Sequence, residues 1–431
     1  MKLNKVLFYG QGNGRDHANH IAIAKCKNIE FCSLICNENA LMQREENVYV
    51  VKDINEAVKF AENFNPDLVI ISNRKDLSEG ATEIFREAGF RVFGITKDVS
   101  RLETEKEYAK DFMKRHNINT PHYYVAENKD EAIKFIKENW EKTKRGYVLK
   151  VEQLSKNSFA RTAVPANQKE AIKELHRLYE TTKNARIIIE EKINGYELSL
   201  HVLINNGKYS ILPFVQDYKK KYSNNEGPMT AGMASVAQST PYSSKLLEKL
   251  RKHIVNPTIK GFEEEGIEYN YILYIGVMVT DEGEPYVLEY NTRTGNPEWL
   301  ALLGLLKKPY NELIETFYNN IEKVKSFWKN NSYSVAIYGI SAGYPEYERK
   351  NFCEEITGFC SLSKDIDIIG EYITENNGKF YPNGGRVFAI RRVGNDFEKI
   401  RGKLIKDFQQ IQMNGMYFRD DIKELTISNN E

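Results

Sequence analysis

Between residues 5 and 100, short apolar runs alternate with amphipathic stretches, a pattern that predicts strands and helices in turn. KVLFYG reads as a strand, a Gly-rich turn follows, and HANHIAIAKC reads as a helix. FCSLIC, the helical pattern INEAVKFAENF, the strand PDLVIIS, the helix ATEIFREAG and the strand RVFGI complete the series. Strands separated by helices predict a parallel sheet covered on its faces. Helical periodicity continues in LETEKEYAKDFMKRHN, breaks at Thr120-Pro121 and resumes in DEAIKFIKENWEK. From Gly146 the pattern returns to strands: YVLKVE, ARIIIEEKI, and LSLHVLINNGKYSIL with a hairpin turn at Asn206-Gly207. The helical stretch SSKLLEKLRKHIVNPTIKGFEEEG leads into the strand YILYIGVMVT, and the turn DEGEP returns the chain into PYVLEYNTR. Mixed strand and helix from Tyr333 predict a further small lobe, and the polar tail after Ile422 is expected to fray. The chain has no internal repeat.

Length and composition narrow the picture. A chain of 431 residues exceeds one hydrophobic core, so two to four domains are expected. With 61 basic and 60 acidic side chains the formal charge is +1, which argues against nucleic acid or an anionic membrane as the bulk partner. The N-terminus MKLNKVLFYGQG begins a strand at once and does not read as a signal peptide. The longest apolar runs are about half of what spans a bilayer. Cys26, Cys32, Cys36, Cys353 and Cys360 form no CxxC pair, so free thiols in a reducing cytoplasm are expected rather than a zinc site.

Two stretches suggest chemistry. The turn Gly10-Gln-Gly12-Asn-Gly14-Arg15 is similar to a dinucleotide fingerprint, but its third glycine comes one position early and no acid ends the second strand. It reads equally as a tight strand-to-helix turn whose helix N-terminus could hold an anion. In VLEYNTRTGNPE, strand alternation puts Glu289, Asn291 and Arg293 on one face, with Leu288 and Tyr290 on the other. An acid and an amide carbonyl are hard oxygen ligands for Mg²⁺ (or Mn²⁺), which takes few protein groups and completes its shell with water and phosphate. Arg293 could then bind a phosphate oxygen through two donors. The plain alternative is a solvated hairpin strand. Lys150, at the end of the apolar strand YVLK, and Lys106, at the start of a helix, are candidate phosphate ligands. Glu190, Glu191 and Glu197 surround a strand and its turn, where backbone could pair with a purine edge and Glu197 could accept from ribose.

Collinear segments across residues 5 to 422 resemble phosphoribosylamine–glycine ligase, an ATP-grasp enzyme family. They are RVFGITKDVSRLETEKEYAKDFMKRHNINTP, IIIEEKINGYELSL, ILPFVQDYKK, NPTIKGFEEEGIEYNYILYIGVM, VLEYNTRTGNPE, NGGRVFAI and GMYFRDDI. The resemblance implies an α/β chain, α+β in its ATP-grasp core, with a Rossmann-like pre-ATP-grasp domain at 1–103 and the core at 104–330. It further implies a mobile lid at about 121–190, a small C-terminal domain at 331–425 and a frayed tail at 426–431. By motif match, Glu289 and Asn291 are the expected metal ligands and Lys106 and Lys150 the nucleotide-phosphate lysines. Glu190, Glu191 and Ile193 fall on the adenine-side hinge, Glu197 on the ribose-side acid, and Arg293 beside the acyl phosphate. Asp217 and Lys219 match the substrate-side QDHK motif. Asn383, Gly384, Gly385 and Arg386 match the NGGRV loop, and Arg15 lies in the altered GGREHA segment.

Departures from the family cluster. The lid loop GLAAGKGV is replaced by QLSKNSFA, Gln153 to Ala160, so that Asn157 and Phe159 stand for glycines and Ser158 for the lysine. Glycine amides approach phosphate most closely, and here Lys156 and Ser158 offer replacement donors. GPNTGGMG becomes Gly227-Pro-Met-Thr-Ala-Gly-Met-Ala234, GPEAPL becomes Ser72-Asn-Arg-Lys-Asp-Leu77, and GDPE becomes Gly295-Asn-Pro-Glu298. Changing several polar substrate contacts together predicts a changed substrate. The leading expectation is therefore a paralogous ATP- and Mg²⁺-dependent ligase that joins a small amino acid carboxylate to an amine through an acyl phosphate. The alternatives are a genuine phosphoribosylamine–glycine ligase and a nucleotide-binding protein that has lost catalysis; a nicotinamide oxidoreductase rests on the first turn alone. The expected partners are small-molecule carboxylate and amine substrates, with no nucleic acid and no membrane, in a cytoplasmic monomer or homodimer.

Overall fold

The computed structural model describes residues 1–152, 162–182, 185–239, 243–345 and 354–424. The first apolar runs form β1 (Lys5–Gly10), β2 (Glu30–Ile35), β3 (Val48–Val50), β4 (Leu68–Ile71) and β5 (Val92–Phe93). They make the expected parallel sheet, in the order β3-β2-β1-β4-β5. Its central strands read as unbroken apolar runs because helices bury both faces.

The Gly-rich turn runs into α1 (Gly14–Ala24), capped by Asn13. One carboxylate oxygen of Asp16 accepts the backbone N–H groups of Gln11, Gly12 and Asn13 at 3.0, 2.9 and 3.1 Å. The N–H of Gly14 donates to Glu371 at 3.1 Å. A Cβ on Gly10 would lie 2.4 Å from the Asp16 carboxylate, so glycine is required there by the internal acid. The amides that a dinucleotide pyrophosphate needs are thus already bonded inside the protein. Of the two readings, the tight turn holds and the phosphate cradle does not.

A separate antiparallel sheet, ordered β6-β9-β7-β8, comprises β6 (Tyr123–Ala126), β7 (Tyr147–Val151), β8 (Thr162–Ala163) and β9 (Ile187–Glu191). The helices Lys129–Asn139 and Gln168–Thr181 pack with it around a core of its own, which includes Ile136, Leu149, Leu175 and Ile189.

The remaining strands are β10 (Tyr196–Asn205), β11 (Lys208–Ile211), β12 (Phe214–Tyr222), β13 (Glu226–Gln238), β14 (Tyr271–Val279) and β15 (Pro285–Asn291). After them come β16 (Tyr333–Ile340), β17 (Asp367–Gly370), β18 (Ile373–Asn376), β19 (Lys379–Pro382) and β20 (Arg386–Gly394). One nine-stranded sheet runs β15-β14-β10-β12-β13-β16-β20-β17, with β11 folded back on β10. The turn from β10 to β11 has φ of 49° at Asn206 and 74° at Gly207, the left-handed pair that the Asn-Gly dipeptide predicts. The last lobe does not make a separate main sheet: β16 pairs with β13, so its strands extend the central one.

The predicted helix around residue 250 forms as Ser244–Leu250 and Asn256–Glu264, joined by a wider π turn at Arg251–Val255. Pro257, just beyond, has no N–H to close a regular helical bond. Among the described residues, no helix is long and apolar enough to cross a membrane.

Buried Asn19 locks the N-terminal domain to the helices Glu298–Gly304 and Tyr310–Asn319. Its carbonyl accepts from Trp299 Nε1 at 2.8 Å and from the Tyr310 hydroxyl at 3.0 Å. Leucine at position 19 would leave both donors buried and unpaired, which should cost about 2–4 kcal/mol. Asn19→Leu is therefore expected to lower the urea midpoint well below that of the native chain, as followed by tryptophan fluorescence. An unchanged midpoint would show that this joint adds nothing.

Candidate active site

A cleft of about 1000 Å³ opens where the three sheets meet, with an adjoining cavity of about 200 Å³ behind it. Its floor is β15. The strand pairs with β14 through Gly276↔Glu289 and Val277↔Val287, so Leu288 is an extra, bulged residue. The strict alternation expected from the sequence is interrupted there. Leu288 turns its carbonyl to Lys150, 3.1 Å away, and lines the cleft together with Glu289 and Asn291. Tyr290 points the opposite way, its hydroxyl 2.6 Å from that of Thr258.

Of the cations that line the cleft, Lys150, Lys219, Arg293 and Arg386 are tied to acids, whereas Arg15, Arg74, Lys75 and Lys192 have no acid partner among the described residues. Lys150 Nζ lies 2.9 Å from one oxygen of Glu190, and Lys110 lies 3.2 Å from the other. The Lys110 contact is a close ion pair rather than an aligned hydrogen bond. Burial pushes Lys110 down to about 8, with Glu190 opposing the shift; burial alone would raise Glu190, but its two lysines outweigh that and hold it below the usual range. Lys106 donates to the Val151 carbonyl at 3.0 Å and lines only the smaller cavity. Lys219 pairs with Glu197 at 2.8 Å. Burial would raise Glu289, yet Lys219, Lys150 and Lys106 hold it below its ordinary value, so it stays an anion at the centre of the cleft.

Arg293 lies beyond the end of β15. Its Nε donates to Glu103 at 3.1 Å, one terminal nitrogen meets both Glu103 and Asn291 Oδ1, and the other donates to the Thr294 carbonyl at 3.0 Å. The expected two-donor grip on a phosphate is therefore not available without displacing Glu103. What the structure offers is a fixed charge with one edge toward the cleft.

Asp217 is half-buried, with one buried oxygen that has no hydrogen-bond partner, and desolvation, then Glu298 beside it, pushes its pKa well up. On the far wall, Arg386 donates to Glu371 at 2.6 Å and to the carbonyls of Ala231 and Asn296 at 2.7 and 2.9 Å. Glu371 also accepts from Tyr338, from the Asn296 amide at 2.9 Å and from Gly14 N–H.

Three comparisons now bear on this arrangement. Models of phosphoribosylglycinamide synthetase match the chain in order: the N domain over residues 4–103, the ATP-grasp (A) domain over 104–299 and the C domain over 334–424. The phosphoribosylamine–glycine ligase of Caldanaerobacter subterraneus subsp. tengcongensis is 30% identical over 423 residues, spanning 97% of this chain and 99% of that protein. The crystal structure of the Thermotoga maritima phosphoribosylamine–glycine ligase superposes with a TM-score of 0.75 at 28% identity, covering 97% of this chain and 100% of that one. The chain belongs to the phosphoribosylamine–glycine ligase family. It has the ATP-grasp fold and is a ligase that forms carbon–nitrogen bonds. A Hydrogenobacter thermophilus biotin carboxylase domain solved with MgADP shares the fold alone, at 14% identity and a TM-score of 0.63 over 97% of this chain and 92% of that one.

Within that family framework, most expected site residues converge. Arg15, Lys150, Glu190, Glu191, Ile193, Glu197, Asp217, Lys219, Glu289, Asn291, Arg293, Gly385 and Arg386 all line the cleft. Asn383 and Gly384 do not: Asn383 is exposed, and Gly384 packs under Tyr372 with its carbonyl held by Ser341 at 2.8 Å. The expected NGGR loop thus reaches the cleft with its second half only. Lys156 and Ser158 lie outside the described residues. Sequence reasoning missed Glu103, Lys110, Glu298 and Glu371. Only Lys110 left a signal, as a lysine inside the buried stripe of Ala109, Phe112 and Met113.

The donor set suits a hard divalent ion. Glu289 is a half-buried carboxylate, and the Asn291 amide nitrogen donates to it at 3.4 Å while the amide oxygen accepts from Arg293. Among the described residues no group of three or more His, Cys, Asp or Glu could hold a metal, so the ion would depend on phosphate and water for the rest of its shell.

Glu190 should prove structural as well as electrostatic. In Glu190→Gln, Lys110 and Lys150 would face each other uncompensated, a loss of about 3 kcal/mol or more. Chemical denaturation should register it as a lower midpoint; a change below about 1 kcal/mol would mean that water already screens the pair.

Proposed function

We propose that this chain is itself a phosphoribosylamine–glycine ligase. The observation that carries the reading is the convergence of Lys150, Glu289, Asn291 and Arg293 on one cleft, in a chain matched end to end by enzymes of that name. Glycine's carboxylate attacks the γ-phosphorus of ATP, giving glycyl phosphate and ADP. The amine of phosphoribosylamine then attacks the acyl carbon, phosphate leaves, and the nitrogen loses a proton as the amide forms.

Each residue role follows from its surroundings. Glu289 and Asn291 would hold Mg²⁺, which when bound neutralises charge on the triphosphate. Lys150, pinned by Glu190 and the Leu288 carbonyl, presents its ammonium to phosphate oxygens without further ordering. Lys106 supplies a second charge from the smaller cavity. The hinge at Glu190, Glu191 and Ile193 receives the adenine, and Glu197 accepts from ribose hydroxyls. The half-buried Asp217 and the buried Glu298 are neighbouring acids suited to an amino acid's ammonium group. Arg293, held rigidly by Glu103, faces the charge that develops on the transferring group. The reaction is one of cytoplasmic small-molecule metabolism.

A ligase for another amine is the second reading, favoured by the altered segments at 72–77 and 227–234. The end-to-end match at 30% identity weighs toward the first. The test is ADP release that requires both glycine and phosphoribosylamine, together with rescue of a purine auxotroph. Activity with a different amine only, or nucleotide binding with no turnover, would remove the proposal.

Two variants probe the machinery. Glu289→Gln combined with Asn291→Ala is expected to abolish Mg²⁺-dependent turnover while the circular dichroism spectrum stays native; retained activity would refute the metal assignment. Arg293→Lys should lower kcat by about ten- to a hundredfold with little change in KM for ATP, since lysine cannot keep the guanidinium's contacts to Glu103 and Asn291. Equal effects on both constants would instead mark ground-state binding.

A further inference from the structure

The cleft sorts its cations into two groups. Arg386, Arg293, Lys150 and Lys219 each face a carboxylate within 3.0 Å. Among the described residues, Arg15 and Arg74 have no carboxylate at hydrogen-bond distance. Arg15 is buried, spends one terminal nitrogen on the Thr294 carbonyl at 2.7 Å, and leaves its Nε without a partner. Burial, then the nearby charge of Arg293, lowers its pKa to about 10, with the more distant carboxylates of Asp16, Glu103 and Glu371 opposing the shift only in part. Arg74 is half-buried, lines both cavities and enters no ion pair; the exposed Lys75 beside it lines the larger one.

The competing anion site is closed. Glu371 already accepts from the α1 N-terminus, Tyr338, Asn296 and Arg386, a set of donors that would otherwise suit a phosphate. A phosphate arriving there would have to expel a buried carboxylate and leave it unpaired.

We infer that Arg74 and Lys75, backed by Arg15, form the subsite for the phosphate group of the amine substrate, and that Arg386 positions the wall without gripping that phosphate. This rests on the proposed ligase reading and assigns a role to the very segment, Ser72 to Leu77, that departs from the family pattern. The two adjacent cations put a charge-assisted grip at the N-terminal wall, where the family motif GPEAPL has none. The half-buried Arg74, with a planar fork, supplies direction; the exposed Lys75 supplies field.

Binding of ribose 5-phosphate, measured by calorimetry, tests this without turnover, and KM values complete it. Arg74→Ala should weaken ribose 5-phosphate about tenfold or more, with a further loss when Lys75→Ala is added. Arg74→Lys should recover part of the loss. KM for phosphoribosylamine should rise in parallel, while KM for ATP and for glycine stay within about twofold. Ribose without phosphate should not distinguish the variants. Unchanged ribose 5-phosphate affinity in the double variant overturns the inference, as does an equal rise in KM for ATP, which would assign Arg74 to the triphosphate. A native chain that turns over phosphoribosylamine while both variants bind normally sinks this inference alone. A native chain that neither binds ribose 5-phosphate nor uses phosphoribosylamine sinks the ligase reading with it.

Discussion

Buried charges are costly unless they are paired, and several of the pairs in this cleft cross domain seams. Arg293 is held by Glu103, 190 residues earlier in the chain, and Glu190 joins Lys150 on the neighbouring strand to Lys110 on the helix Lys106–Arg115. Glu371 bonds to Gly14, 357 residues away, and to Asn296 and Arg386 as well. A low-dielectric site makes each unpaired charge costly, so the arrangement is self-enforcing: the cleft keeps its charges only when the domains are docked. Docking and site formation are therefore one event, with Asn19 and its two donors supplying the uncharged part of the same joint.

That coupling also explains what could be read from the sequence and what could not. The parallel sheet, the hairpin at Asn206-Gly207 and the polar face of β15 were legible because each depends on neighbours within a few residues. Glu289, Asn291 and Lys150 were legible for the same reason, as polar groups placed at regular intervals on otherwise apolar strands. Glu103 and Glu371 were not. Nothing local separates them from solvated acids; their meaning comes from Arg293 and Arg386, brought to them by the fold. The bulge at Leu288 was invisible too, because an extra residue shows only against the register of the partner strand. The Gly-rich turn failed in the opposite way. Its glycines looked like ligand contacts, but they make room for Asp16.

The central sheet shows how a rigid floor and an adjustable rim can coexist. The nine strands from β10 to β17 together with β20 form one continuous ladder under the cleft, so Glu289, Asp217 and Arg386 are fixed relative to one another. The sheet of β6 to β9 has a hydrophobic core of its own and lines the site with Val148, Lys150, Thr162, Glu190 and Glu191. Its electrostatic tie to the floor runs through Lys110 on the helix Lys106–Arg115 and through the Leu288 carbonyl. A unit with its own core can change its angle to the floor without unfolding, whereas the floor cannot deform without breaking ladder bonds.

The altered segments gain a common explanation from this division. Glu289, Asn291 and Arg293 lie on or just beyond a strand of the continuous floor, whereas the segment 72–77 lies on the N-terminal wall. There Asn73 caps a short helix, Arg74–Ser78, that projects two cations. Closing Arg386 with Glu371 removes one phosphate-binding possibility while tightening the joint between α1 and the last lobe. Opening Arg74 restores a cation nearby with no such structural duty. A cation committed to the fold is a poor ligand, because the cost of releasing its partner is subtracted from every contact it makes with substrate. On the proposal that Arg74 and Lys75 take the phosphate, recognition falls to side chains without such commitments, so one wall can be stable and the other selective.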